Sequence, residues 1–443
     1  MMLLGALVLS GSTAALAEVQ NVKVGGEIRE RANWSNNIVG LGTGKSVLPV
    51  IARGVVFPAG ALTTAAATSS AAIGTDVTVV KPSDDSFGFI ESRVQVFVES
   101  DLTDNVFARV TLEAEDVWGD FASAGTGVSF TEDRDFEVGI AEAYAQLNEL
   151  YYSPLSVKTG RQYMHFGRGF MVSSNEHEQR FDAVRATLDF YPITLDTWYA
   201  KVTETLSFDK DRDFWGFNAA YAGDNWTTEA YIMGLQDKLD SGIEPLALGV
   251  RGDITPIEGL TTWGEAVYED GTLGAHDLNS FALQLGAKYQ IPGCPWKSEV
   301  HLEWTFGSGG PDLDDSFVQF FEYNYYGYVF SPVLTNIHIL NAGFSLYPTE
   351  NLRAFFDFYY YRQDDAVAQL MGDPFQDNGG IGAATNGTDE ELGAEVDFGV
   401  DYRYTEDVSS QLYAGWFFPE GAYRGVTEAN SAFEVRGELL VNF

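Results

Sequence analysis

The stretch "VKVGGEIRERANW" (22–34) alternates with a period of two, and so does much of the chain beyond it. Val22, Val24, Gly26, Ile28, Ala32 and Trp34 fall on one face, with Glu30 among them, while Lys23, Glu27, Arg29, Arg31 and Asn33 fall on the other. "GFIESRVQVFVES" sets Ile90, Val94, Val96 and Val98 against Glu91, Arg93, Gln95 and Glu99. "NVFARVTLEAE" sets Val106, Ala108, Val110 and Leu112 against Arg109, Thr111, Glu113 and Glu115. Side chains of an extended strand point alternately to its two sides, so this period predicts strands with one apolar and one polar face, not amphipathic helices. A soluble sandwich alternates too, so the period alone leaves open whether the apolar face meets a core or a bilayer.

The connections narrow the choice. About 18 such segments can be counted, with short turns at 101–105, 150–154, 190–192, 222–225, 255–259, 291–296, 347–351 and 405–408. Between them lie longer connections at 35–86, 119–135, 169–179, 307–335, 364–391 and 419–430, and three shorter ones near 207–211, 236–243 and 270–277. Short on one side and long on the other is the pattern of a single-chain, antiparallel, up-and-down transmembrane β-barrel with periplasmic turns and extracellular loops. The closing strand, "FEVRGELLVNF", ends on its apolar face at Phe443, like the assembly signal of bacterial outer-membrane proteins. Closure of first strand against last would remove both sheet edges.

"MMLLGALVLSGSTAALA" (1–17) ends in a small-x-small pattern and predicts an export signal cleaved before Glu18, leaving 18–443 as the barrel; it lacks the usual preceding Lys or Arg. No later run approaches the length of a transmembrane helix. Aromatic residues make up 14% of the chain, a share suited to pleated surfaces and membrane interfaces. The chain carries 64 Asp+Glu against 26 Lys+Arg, a balance that repels nucleic acid. Its one cysteine, Cys294, has no partner for a disulfide and no metal-ligand spacing.

The cations are unevenly spread. Lys158, Arg161, Arg168, Arg180 and Arg185 crowd around "GRQYMHFGRGF" (160–170). Residues 141–190, with an "AY" strand, this "GRQ" strand, a G-R turn and the "FDAVR" strand, resemble the alginate-export family of outer-membrane barrels. "EELGAEVDFGVDYRYTEDVSSQLYAGWFFPEG" (390–421) is similar to the family's late hairpin, and 337–362 matches more loosely. The resemblance implies an 18-stranded barrel that exports an acidic polysaccharide through a lumen lined with Arg and Lys. It also implies that Arg161, Arg168 and Arg185 contact substrate. Its implied surroundings are outer-membrane lipids, the barrel-assembly machinery and a periplasmic export partner.

Phase extends that set. Arg29, Arg31, Arg93, Arg109, Lys158, Arg185 and Arg353 lie on polar faces, where a guanidinium fork or an ammonium can meet a passing carboxylate. Arg161 is out of phase with Ser156, Lys158, Gly160 and Gln162, and a bulge near Gly160 is expected to re-aim it inward. Polar phase also belongs to Glu91, Glu113, Glu115, Glu142, Asp189, Glu299, Glu303, Asp357, Glu395, Asp397, Asp401, Glu434 and Glu438, so the lumen reads as mixed in charge. Arginines in a confined polar space also pair with carboxylates for their own sake. Three readings stay open: passage of an anionic saccharide, a general or solute-specific porin for another small solute, and a sealed barrel whose loops serve adhesion or structure.

Other motifs lead nowhere. "VGLGTGKS" (39–46) lacks the first glycine of a phosphate loop and no helix pattern comes after it. Glu176, His177 and Glu178 are adjacent, not spaced as metal ligands on one face. "RGD" (251–253) falls inside an expected strand, and 59–74 is a low-complexity part of the first long connection. No cofactor, metal site or Ser/His/acid constellation is expected, and the chain reads as a channel and not an enzyme.

Overall fold

The computed structural model describes residues 20–36, 86–118, 138–173, 179–204, 211–238, 242–274, 276–294, 296–311, 313–321, 326–368, 385–424 and 431–443. The expected signal (1–17), the "VGLGTGKS" stretch, the low-complexity segment and the Glu176–Glu178 triplet lie outside them.

Eighteen strands succeed one another in chain order. They are β1 (Gln20–Asn36), β2 (Ser86–Thr103), β3 (Val106–Val117), β4 (Val138–Leu147), β5 (Leu155–Tyr163) and β6 (Arg180–Phe190). Next come β7 (Ile193–Thr203), β8 (Arg212–Ala222), β9 (Trp226–Asp237), β10 (Ile243–Ile257), β11 (Leu260–Leu273) and β12 (His276–Gln290). The last six are β13 (Glu299–Gly307), β14 (Ile337–Thr349), β15 (Leu352–Gln363), β16 (Glu391–Arg403), β17 (Val408–Pro419) and β18 (Ala432–Asn442). Each pairs antiparallel with the next, and β1 pairs with both β2 and β18, so the sheet is closed. At the seam Gly26 and Phe443 exchange backbone hydrogen bonds of 2.8 and 3.0 Å. All eight short connections expected from the sequence link the strand pairs β2/β3, β4/β5 and so on to β16/β17. By the usual arrangement of such barrels that end is periplasmic.

The two-residue period sorts the faces as expected. Val98, Leu112, Trp215, Leu285, Leu412 and Leu439 are exposed on the outer skin. Cross-strand rows keep like with like: Val441, Ile28, Val94 and Ala114 are successive register partners on β18, β1, β2 and β3. Trp34, Phe433 and Trp416 form an aromatic group toward the long-connection end, with ring centroids 5.4 and 4.4 Å apart, as in an interfacial belt. Arg29, Glu91, Gln162, Glu265, Asn341 and Glu395 are buried on the inner face.

Two long connections turn into the barrel instead of away from it. One joins β5 to β6 and buries Phe166, Phe170, Met171 and Val172; the other joins β13 to β14 and buries Phe317, Val318, Phe320, Phe321, Val329 and Phe330. They meet along a short parallel bridge between Val172 and Phe321, where Phe321 N donates to Met171 O at 2.8 Å and Ser173 N to Phe321 O at 2.9 Å. Both pack on an apolar patch of inner wall that includes Phe181, Trp198, Phe214, Met233 and Leu235. Each fully buried Phe or Met contributes about 1.5–3 kcal/mol, so this apolar contact is the main force holding the connections inside.

Candidate functional site: the lumen and its inserted connections

The inner wall from β1 to β5, with β18, is a mosaic of paired charges. Arg29 meets Glu91 at 2.9 Å and Glu115 at 3.3 Å, Arg31 meets Glu438 at 2.7 Å, and Arg93 meets Glu27 at 2.7 Å. Arg109 lies between Glu99 at 3.1 Å and Glu142 at 2.9 Å, and its guanidinium covers the Phe97 ring. Arg185 on β6 pairs with Asp196 at 2.9 Å. Across the barrel Arg353 pairs with Asp401 at 2.9 Å. Register sets Arg31 opposite Glu438, Arg109 opposite Glu99 and Arg353 opposite Asp401, while Arg29 faces Arg93 and each of these two reaches a diagonal glutamate instead, since an unpaired charge in so confined a space is strongly disfavoured.

Lys158 differs. Among the described residues no carboxylate comes within ion-pair distance of it; its ammonium stands 3.6 Å from the centroid of the Tyr144 ring. Its register partners are Gln146 on β4 and Arg185 on β6, so a second cation is adjacent. The ring attracts the ammonium through its quadrupole but supplies no net negative charge.

Arg168 sits at the tip of the first inserted connection, reaching Asp253 at 3.3 Å, Gln284 at 2.8 Å and Glu303 at 3.8 Å, with its guanidinium over Trp263. Its own backbone N–H donates to Glu265 at 2.6 Å, and the preceding Gly167 N–H to Glu229 at 3.0 Å. Its geometry is that of a tether joining the connection to β10–β13.

Arg161 departs from expectation. Gly160 does have an unusual backbone, with φ +121°, yet pairing runs unbroken from Val157 to Arg161 on both sides of β5. Arg161 therefore stays in register with Ala143 and Asp182 on the outer face, where it forms two 2.9 Å bonds to the Asp182 carboxylate. The register shift falls on β4 instead, between the Thr111–Glu142 and Leu112–Ile140 pairs, and Arg161 donates to the Ile140 carbonyl. Its expected inward turn is not realised, because one glycine with positive φ re-aims its own peptide without inserting a residue into the ladder.

The sequence reading missed the carboxylates that hold the inserted connections. Besides Glu229 and Glu265, Glu269 on β11 is fully buried and accepts from Val318 N at 3.0 Å and from Ser280. Glu395, read only as a lumen charge, accepts backbone N–H groups from Tyr328, Val329 and Phe330, the last two at 2.7 Å. Part of the lumen's acidic surplus thus satisfies backbone donors of chain folded into it. A signal was present: the inward positions Trp198, Ala200 and Val202 of "TWYAKV" and Phe214 of "FWGFNAAY" are apolar where a water-filled lumen calls for polar residues, as on strands covered on both sides.

A closed barrel with an apolar skin, a charged lumen, short turns at one end and long connections at the other is an outer-membrane channel. The comparisons agree. The chain belongs to the alginate-export family, whose sequence profile it matches over residues 65–435. Its fold is that of solved Pseudomonas aeruginosa proteins that include the outer membrane protein OprD. OprD is 13% identical with a TM-score of 0.55, covering 97% of this chain and 96% of its own. OccK1 (OpdK) is 9% identical at a TM-score of 0.56 over 96% and 98%, and OpdQ 10% identical at 0.56 over 96% and 99%. No curated protein sequence gives a significant match.

Proposed function

We propose that this channel passes an anionic saccharide of the alginate type passively across the outer membrane, with Lys158 as the cation that meets its carboxylates. The observation carrying this is the contrast between Lys158, which faces an aromatic ring, and the lumen arginines, each of which already holds a carboxylate. An ammonium with no ion-pair partner among the described residues attracts a passing carboxylate without the need to break an internal pair. Arg185 beside it reinforces the field, and the paired Arg29, Arg31, Arg93, Arg109 and Arg353 supply fixed dipoles along the path. Several modest attractions in series speed passage better than one tight site, since conduction requires release. Arg168 acts in this reading by fixing the inserted connection that narrows the lumen, and Arg161 takes no part.

The paired arginines favour a second reading, a porin for a neutral or cationic solute, because carboxylates cancel most of the positive wall. Reversal potential in a KCl gradient across a planar bilayer separates the two. Anion preference in the wild type, lowered by Lys158→Gln, supports the saccharide reading. Cation preference indifferent to Lys158→Gln would leave the channel standing and remove the anionic substrate.

A further inference from the structure

One residue breaks the outer skin of β1. Its outward positions are Val22, Val24, Gly26, Ile28, Glu30, Ala32 and Trp34, so Glu30 is a carboxylate with apolar neighbours above and below it. Its register partners are Leu439 on β18 and Ser92 on β2. Trp34 in the aromatic belt lies four residues farther along the strand. At about 3.3 Å per residue and a strand tilt of about 40°, Glu30 lies about 10 Å beneath that belt, among acyl chains of the outer leaflet. An ionisable group there is disfavoured and calls for a partner.

The carboxylate is held in a definite way. The Ser92 hydroxyl, almost fully buried, donates to Oε2, and the Trp118 indole N–H is 2.7 Å from Ser92 Oγ and 3.1 Å from Oε2. Both donors engage the same oxygen, and Oε1 has no partner among the described residues. Beside it the skin is notched. Ala32 pairs with Gly437, where an added Cβ would find nothing within 4 Å, and larger side chains, Leu412 and Leu439, flank the gap.

We infer that this notch seats one acyl chain of an outer-leaflet glycolipid, and that Glu30 Oε1 accepts a hydrogen bond from a hydroxyl or amide carried near the head of that chain. The depth selects the chemistry. Phosphate and ammonium head groups lie at the level of the aromatic belt, whereas hydroxyacyl and N-acyl groups carry neutral donors several ångströms below it. A carboxylate also repels phosphate and accepts from such donors, and Gly437 leaves room for the chain beside it.

The test uses the full folded chain in detergent, with native mass spectrometry reading the binding of lipid A, which carries amide-linked hydroxyacyl chains, against phosphatidylglycerol, whose hydroxyls lie only on the head group and whose ester-linked chains carry neither an amide nor a hydroxyl. Wild type is expected to retain one lipid A and to bind phosphatidylglycerol more weakly. Glu30→Leu should lower lipid A affinity roughly tenfold, as loss of one charge-assisted hydrogen bond does. Gly437→Leu, which fills the notch and leaves the carboxylate intact, should do the same, and neither change should alter phosphatidylglycerol binding. Gel mobility before and after heating shows that each variant is a folded barrel, and Gly437→Leu decides the matter alone if Glu30→Leu does not assemble. Equal affinity for the two lipids, wild-type lipid A binding in Gly437→Leu, or a dimer that either change disperses would each overturn the inference.

Discussion

Replacing Glu395 by alanine should loosen the second inserted connection. The Glu395 side chain is fully buried and accepts from Tyr328, Val329 and Phe330 N–H, and of these Tyr328 N has a second acceptor in Asp397 at 3.2 Å. Truncation therefore orphans two buried donors, at about 1–3 kcal/mol each, or about 2–6 kcal/mol together. The opposing attachment is apolar: Val329 and Phe330 are buried, with Phe330 stacked 4.5 Å from Phe417 and edge-on to Tyr361 at 4.9 Å. At about 1.5–3 kcal/mol per side chain this anchoring is worth about 3–6 kcal/mol, so the loss nearly matches it. Single-channel conductance in a planar bilayer should rise and become noisy as the segment detaches, and protease added from the loop side should cut near 326–330. Glu395→Gln keeps one carbonyl acceptor and should fall between. Unchanged conductance and unchanged cleavage in Glu395→Ala would refute the reasoning, since the carboxylate would then not be what holds this segment.

Three further outcomes are expected. Val96→Arg places a charge on the lipid face opposite Leu112 and should cost about 2–4 kcal/mol near the midplane, seen as loss of the heat-shifted band in SDS gels, whereas inward Gln95→Arg, next to Glu113, should assemble. Lys158→Gln should lower the anion-to-cation permeability ratio about two- to fivefold, the effect of about 0.5–1 kcal/mol from one screened charge, while Arg161→Glu on the outer face should leave the reversal potential unchanged. Gly160→Ala puts a Cβ 2.2 Å from Ala143 O at a φ of +121°, so the folded fraction in the same gels should drop, by strain of about 1–3 kcal/mol.

Strand number, turn positions and facing were legible because each rests on a local rule: side-chain alternation, short turn segments and the charge of a single residue. Val96 and Gln95 could be assigned opposite faces from the sequence alone. Plain alternation also puts Arg161 outward, as observed; the expected bulge at Gly160 misleads because the register shift lies in the β3/β4 pairing, which the glycine of "GRQ" does not mark. Glu229, Glu265 and Glu269 escaped for a different reason. An inward carboxylate looks the same in sequence whether it meets an arginine, a solute or a backbone amide, and the amides come from residues as far away as Gly167 and Val318. What did point to them was apolar sequence where lumen polarity was due, at Phe181, Trp198 and Phe214.

The bridge between the two inserted connections joins segments remote in the chain: Gln319 donates to the Phe170 carbonyl across 149 positions. Eight of the neighbouring strand pairs join across short turns, but this contact needs β5, β6, β13 and β14 all in place first. Its loop-closure entropy makes it a late event. If docking of these segments follows closure of the wall, the barrel is wider-bored until they dock, and the membrane that receives it is then more permeable than the finished channel makes it.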